Sequence, residues 1–144
     1  MRKILLILTA FSAMAIADFS RSAVGVVTDS VTGLQWQDDY GDNGGAVKSA
    51  TWIDAIDYCE ALTLGGYDDW RLPNIRELNS IVDLSRVGPA IDPVFQNTES
   101  VNYWSSTTYA GFKNSAWDVG FDYGYRNGDF KTYTHYVRCV RSGQ

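Results

Sequence analysis

Apolar residues change their spacing twice in this chain, and each change marks a different kind of secondary structure. Residues 24–28 form a short β-type run. Turn chemistry follows in Asp29, Ser30, Val31, Thr32 and Gly33, and then Leu34, Gln35, Trp36 and Gln37 resume an extended pattern. That order predicts an N-terminal hairpin. Residues 38–45 follow as a polar, glycine-bearing loop expected to be solvated.

From Thr51 the spacing becomes helical. Trp52, Ala55 with Ile56, Cys59 and Leu62 recur as one apolar stripe, while Asp54, Asp57 and Glu60 take the other side. Thr51 is placed to cap this helix, with Asp54 near its exposed amides. Gly65 and Gly66 are expected to end it in a left-handed C-cap. A second, shorter helix is predicted from Asn74 to about Asp83. Asn74 and Glu77 have the three-residue spacing of a capping box, Pro73 restricts the approach, and Ile75, Leu78, Ile81 and Val82 face one way. Residues 85–98 carry Pro89 and Pro93 without periodicity and read as a long loop.

Beyond Tyr103 the period falls to two. Trp117, Val119, Phe121 and Tyr123 alternate with Ala116, Asp118, Gly120 and Asp122, the pattern of a half-buried strand. Residues 124–128 are expected to turn, residues 129–134 to return antiparallel, and residues 135–141 to form one last strand containing Cys139. The fold class is therefore α+β, two helices packed on a small twisted antiparallel sheet.

Residues 1–17 have another grammar: a basic start at Arg2 and Lys3, an apolar run, and a small-residue exit at Ala15, Ile16 and Ala17. This is the pattern of a cleaved secretory signal. A single domain over residues 18–144 is expected to follow, exported to the periplasm or released. The signal's apolar run is too short to span a bilayer, and no later stretch is long enough. Asp18 rather than a cysteine follows the expected cut, which argues against a lipid anchor.

Export changes the meaning of the cysteines. Cys59 and Cys139 are the only two in the chain. In an oxidising compartment such a pair is most simply a disulfide, and the C-x-x-C spacing of a reactive pair is absent. Charge narrows the partners. The full sequence carries 12 Lys+Arg and 17 Asp+Glu, and the signal removes two bases and no acid, leaving −7. A surface of that sign repels nucleic-acid phosphates, and no basic run overrides it, since alternation directs Arg138 and Arg141 to opposite faces. Nucleic acid is excluded as a partner. Aromatic residues make up 14% of the chain, which fits a dense β-rich core or a stacking surface.

Several motifs then combine. Gly33-Leu34-Gln35-Trp36-Gln37, Trp52 with Ala55 and Cys59, and Asp69-Trp70-Arg71-Leu72-Pro73-Asn74 with Glu77 and Leu78 come first. Ile91-Asp92-Pro93-Val94-Phe95, Tyr103-Trp104-Ser105-Ser106 and Tyr136-Val137-Arg138-Cys139-Val140-Arg141 follow in order. Together, from about Val27 to Arg141, they resemble the Lcl C-terminal-domain family, named for the C-terminal domain of the Legionella collagen-like adhesin. The resemblance implies a fold similar to the C-type-lectin-like fold of formylglycine-generating enzymes. It also implies a disulfide from the first helix to the last strand. The adhesin's domain binds sulfated polysaccharide. This chain lacks a collagen-like stalk and is acidic, which turns the expectation toward glycan or protein ligands of other kinds.

Within that frame Trp36, Trp52, Trp70, Leu72, Pro73 and Trp104 read as structural. Arg71 is expected to pair with a nearby carboxylate, Glu77 to cap, Ser105 to bond backbone, and Arg138 to belong to the scaffold. No catalytic residue is assigned. A hydrolase would recruit Ser105 or Ser106, His135 and an aspartate, but no nucleophile elbow surrounds either serine. Copper oxidase chemistry needs thiols that the disulfide consumes. A different enzyme would need Asp118, Asp122 and His135 to converge. No cofactor or metal site is assigned. Asp38, Asp39, Asp42 and Asn43 offer calcium oxygen ligands, yet the loop fails EF-hand spacing. The candidate ligand-binding residues are Asp118, Asp122, Tyr123, Tyr125, Arg126, Asn127, Asp129, Lys131 and Tyr133, which mix aromatic faces with donors and acceptors as sugar sites do. The functional expectation is an exported, non-catalytic domain for a glycan or a cell-envelope protein. The alternatives are an envelope enzyme or a homo-oligomeric assembly subunit.

Overall fold

Strand propensity at both ends of the domain assembles one sheet from residues far apart in the chain. The computed structural model describes residues 18–143, so the expected signal lies outside the described residues. β1 (Phe19–Arg21), β2 (Val26–Asp29), β3 (Gln35–Gln37) and β9 (Val140–Arg141) form a four-stranded antiparallel sheet in that order. The hairpin is the expected one. Its turn forms because Asp29 Oδ1 accepts the amides of Val31 and Thr32, while Gly33 takes a positive φ of 74° that a side chain would disfavour.

The second sheet has the order β4 (Ser49–Ala50), β8 (His135–Tyr136), β5 (Asn102–Thr108), β6 (Ser115–Gly120) and β7 (Tyr125–Phe130). Its pairings are antiparallel except β5 with β8, which run parallel. The architecture is the expected α+β, with its strands divided between two sheets.

Helix α1 (Trp52–Ala61) follows the predicted stripe, burying Ala55 and Cys59. Two details differ. Thr51 occupies the N-cap position without a side-chain bond, and the helix ends in an extended Leu62 rather than at the glycines. Gly65 and Gly66 instead make the tight turn between Leu64 and Tyr67, whose backbones bond each other. Helix α2 (Ile75–Ser80) has the full capping box: Asn74 Oδ1 accepts Glu77 N at 2.8 Å, and Glu77 Oε1 accepts Asn74 N at 2.9 Å. It stops at Ser80, short of the expected Asp83, although Ile81 is still buried.

The helices serve opposite faces of the second sheet. Trp104 and Ala116 share one core with Ala55, Cys59 and Leu62 of the α1 region. Tyr103, Val119 and Phe121 share the other with Leu78, Ile81, Ile91 and Phe95. β5 and β6 are therefore buried on both sides. This corrects the half-buried reading of β6, because Asp118, Ala116 and Gly120 are as enclosed as Val119.

The expected last strand is also divided. β8 belongs to one sheet and β9 to the other, and residues 137–139 cross between them. Cys139 lies in that crossing and bonds Cys59 of α1, with Cα atoms 5.4 Å apart. Gln37 N donates to Cys139 O at 2.9 Å, and Tyr40 Oη donates to Val137 O at 2.9 Å. These bonds draw the crossing toward residues 38–45, where the expected solvated loop contains a fully buried Asp38 and Tyr40.

Candidate functional site

The connection from β7 to β8 decides what surrounds Asp118. These strands lie three places apart in the sheet, so residues 131–134 must pass over β6 and β5. They pass on the α1 side, because Trp52 N donates to Lys131 O at 3.1 Å. Lys131 Nζ sits 3.9 Å from the centre of the Trp52 ring and donates to Thr108 Oγ1 and Lys113 O. Asp118, central in β6, is thus roofed by its own chain and fully buried.

Asp129 enters from β7 and His135 from the start of β8. His135 Nε2 lies 2.9 Å from Asp129 Oδ2 and 3.9 Å from Asp118 Oδ2. The imidazole packs against the Trp104 indole, ring centres 4.4 Å apart, and Trp104 is itself anchored by Nε1 donating to Ala50 O at 3.0 Å. One ligand atom from each of Asp118, Asp129 and His135 falls within 4.8 Å of the others. Among the described residues these three are the group spaced to hold a metal ion.

Neither carboxylate oxygen of Asp118 makes a well-formed hydrogen bond, although Asn127, opposite it on β7, turns its amide toward the group. Burial pushes its carboxyl up to about 6, His135 opposing the rise, the Asp129 charge adding to it and the Asn127 side-chain hydrogen bond countering it. Such a group can take a proton near neutral pH, or a cation.

Two glycines keep the neighbourhood close. A Cβ on Gly120 would come within 2.7 Å of Asp122 Oδ1 and 3.0 Å of Asn102 Oδ1. A Cβ on Gly128 would strike the Tyr109 ring at 2.4 Å, so this ring packs on the β7 backbone there, with its centre 4.4 Å from that of Trp117 and the planes tilted by 31°.

The other predicted ligand residues spread along the outer edge. Tyr125, Arg126, Asn127 and Gly128, expected to form a turn, are residues of β7, and the reversal occurs earlier, at residues 121–124. Gly124, at a φ of 85°, makes that reversal and donates its amide to Gly120 O. Asp122 accepts the Tyr123 amide at the tip. Tyr123 and Tyr125 stack with ring centres 6.4 Å apart, and Phe130 meets Tyr133 edge to face at 5.5 Å. All four rings are exposed, Tyr125 by 67%. Asp118 and Asp129, with Lys131 in the segment above them, therefore stand apart from the exposed members of the set to which they were assigned. The sequence reading also passed over Tyr109, Phe112 and Trp117 as surface rings. It left His135 out of the ligand set, although the only histidine in the chain was a signal available to it.

The residues read as structural make these contacts. Arg71 forks onto Glu77 at 2.6 and 2.7 Å. Trp70 Nε1 donates to the carbonyls of Leu64 and Tyr67, and Trp52 Nε1 donates to Ser105 O. Trp36 and Leu72 are buried, and Pro73 O accepts the Ser106 amide. Ser105 Oγ donates to Trp117 O at 2.6 Å, which spends the proton a nucleophile would lose. In the oxygen-rich loop Asp38 binds arginines, Asp39 Oδ1 accepts Gly41 N, and Asp42 Oδ1 accepts the Tyr58 hydroxyl. Asp118 and His135 do converge, with Asp129 rather than Asp122 as the third member.

Among the described residues no helix is long and apolar enough to cross a membrane. Comparison with curated proteins finds no match. The family model of the Lcl C-terminal domain matches residues 25–141, from the β2 hairpin to the last residue of β9, and the chain belongs to that family.

Proposed function

We propose that this chain is an exported, non-catalytic binding domain of C-type-lectin-like architecture that holds a glycan along the outer edge of β7. The observation that carries the reading is the pair of exposed aromatic contacts there, Tyr123 on Tyr125 at one end of β7 and Phe130 on Tyr133 at the other. Tyr123, Tyr125, Phe130 and Tyr133 each leave more than half of their surface open, and Arg126 and Asn127 stand between them. Rings exposed in such density are unusual on a small monomeric surface. They offer faces for the C–H sides of a sugar, with adjacent donors for its hydroxyls. Membership in a family named for an adhesin's domain agrees with a role in attachment. The negative charge favours uncharged or amino sugars over sulfated ones.

A glycan array probed with and without calcium tests the proposal. Tyr125→Ala and Arg126→Ala are each expected to weaken binding about tenfold, about 1.4 kcal/mol, with an unchanged melting temperature because both side chains are exposed. An array silent under both conditions would defeat the sugar reading. Capture of an envelope protein by the wild type but not by Tyr125→Ala would then identify a protein ligand on the same edge.

A further inference from the structure

A carboxylate with no solvent and no well-formed hydrogen bond is a costly group to keep. Buried charges in native proteins are paired or coordinate metals, because nothing else replaces the water they lose. Asp118 has zero exposure, and neither of its oxygens makes a well-formed hydrogen bond; the Asn127 side-chain amide and the His135 ring, 3.9 Å away, are the only donors that act on it among the described residues. The 2.9 Å contact between His135 and Asp129 satisfies those two groups, while Asp118, whose Oδ2 points toward the same imidazole nitrogen from 3.9 Å, gains only a longer charge contact from it. The cluster is arranged as though one positive centre were shared among three donors.

We propose that Asp118, Asp129 and His135 bind a divalent transition-metal cation, zinc being the ion that suits the donors best, with a fourth position open to water or ligand.

The distances support this choice. Zinc bonds of about 2.0–2.1 Å in a tetrahedron place neighbouring ligand atoms about 3.4 Å apart. The two contacts of His135 Nε2, at 2.9 and 3.9 Å, lie on either side of that value. The third pair lies within 4.8 Å, so modest side-chain rotations close the triangle. The donor chemistry separates the ions. Calcium takes six to eight oxygens and magnesium a near-ideal octahedron, whereas one imidazole with two carboxylates is a transition-metal set. The geometry is also held in place from outside. Asp118 sits on a strand paired on both sides, and His135 is braced by the Trp104 ring. Asp129 is half-buried, and its remaining exposure gives the ion a way in.

The test is calorimetric titration of the oxidised protein, freed of metal with EDTA, against zinc chloride, with calcium and magnesium chlorides in parallel. One zinc per chain is expected, with a raised melting temperature and a clear preference over calcium. Asp118→Asn and His135→Gln are each expected to weaken zinc binding by about 100-fold or more. In the metal-free state Asp118→Asn should melt no lower than wild type, since it removes a buried charge that has no short ion pair. If Asp118→Asn fails to fold, His135→Gln carries the comparison alone. Asp39→Asn, in the oxygen-rich loop, is expected to leave zinc binding unchanged. Absence of saturable one-to-one zinc binding would overturn the proposal. So would binding undiminished by His135→Gln, or a site that prefers calcium.

Discussion

Taking a guanidinium out of water costs several kcal/mol unless its donors find partners, and Arg138 is fully buried. Its Nη1 donates to Gln37 O at 2.6 Å and to Asp38 Oδ1 at 3.1 Å. Its Nη2 donates to Asn97 O and Thr98 Oγ1, its Cζ lies 4.8 Å from the centre of the Phe95 ring, and only Nε is left without a hydrogen bond. Asp38, equally buried, also takes Arg21 Nε at 2.7 Å and the amides of Gln96 and Asn97. Through this pair the segment at residues 96–98 is fastened to the first sheet without a strand or helix of its own. Removing one partner leaves an uncompensated buried charge, so Asp38→Ala is expected to cost about 3–5 kcal/mol in urea unfolding. Asp118 is the contrast, an aspartate as deeply buried but without a well-formed hydrogen bond or a short ion pair. Neutralising Asp118 should cost little where disrupting Asp38 costs much. Equal losses at the two positions would mean that burial alone, and not pairing, sets their worth.

Glu77 joins two devices in one helix. It closes the capping box of α2 and it receives the forked guanidinium of Arg71, on the segment that bridges to Val140 of β9. Burial pushes its carboxyl up, but the Arg71 hydrogen bonds, the Asn74 amide and the Arg71 charge together hold it below its ordinary value of 4.5. A carboxyl depressed in the folded state gives its full stabilisation above the unfolded value and loses it as the pH falls through the folded one. Wild type should therefore exceed Glu77→Gln in stability at neutral pH by about 1 kcal/mol. The difference should vanish in urea melts as the pH drops below 4.5. A gap that persisted in acid would assign the effect to packing. This helix was legible in the chain because its signals are local: Asn74, Glu77 and the apolar spacing all lie within one turn or two. The β6–β7 hairpin was legible in kind but shifted in place. Tyr125, Arg126, Asn127 and Gly128 have turn-like polarity, yet Gly124 supplies the reversal and pairing with β6 draws them into a strand. The division into two sheets, and with it the meeting of Asp118, Asp129 and His135, depends on β8 lying beside β5. No short-range pattern carries such a pairing.

Both sheets and α1 meet at the crossing of residues 137–139, and this makes the Cys59–Cys139 bond more than a link between two elements. Position 139 leaves the five-stranded sheet after β8 and enters the four-stranded one at β9, so fixing it to α1 fixes the packing of one sheet on the other. The crossing is also held without the bond. Gln37 bonds Cys139 through its backbone amide and through Oε1, Tyr40 bonds Val137, and Arg138 anchors the residue between. Those contacts belong to the folded state, whereas a disulfide acts chiefly on the unfolded one, by limiting how far a chain cross-linked across 80 positions can expand. The chain-entropy model gives about 4.5 kcal/mol for a loop of this size, within a measured range of about 2–5. A Cys59→Ala, Cys139→Ala double variant is therefore expected to keep the native near-ultraviolet circular dichroism and to lose about 2–5 kcal/mol. Its urea dependence should steepen, because an unfolded chain without the cross-link exposes more surface. If the slope stays constant while stability falls, the bond acts mainly on the folded crossing. If the native spectrum is lost at once, the hydrogen bonds around Arg138 are too weak to hold the two sheets together without it.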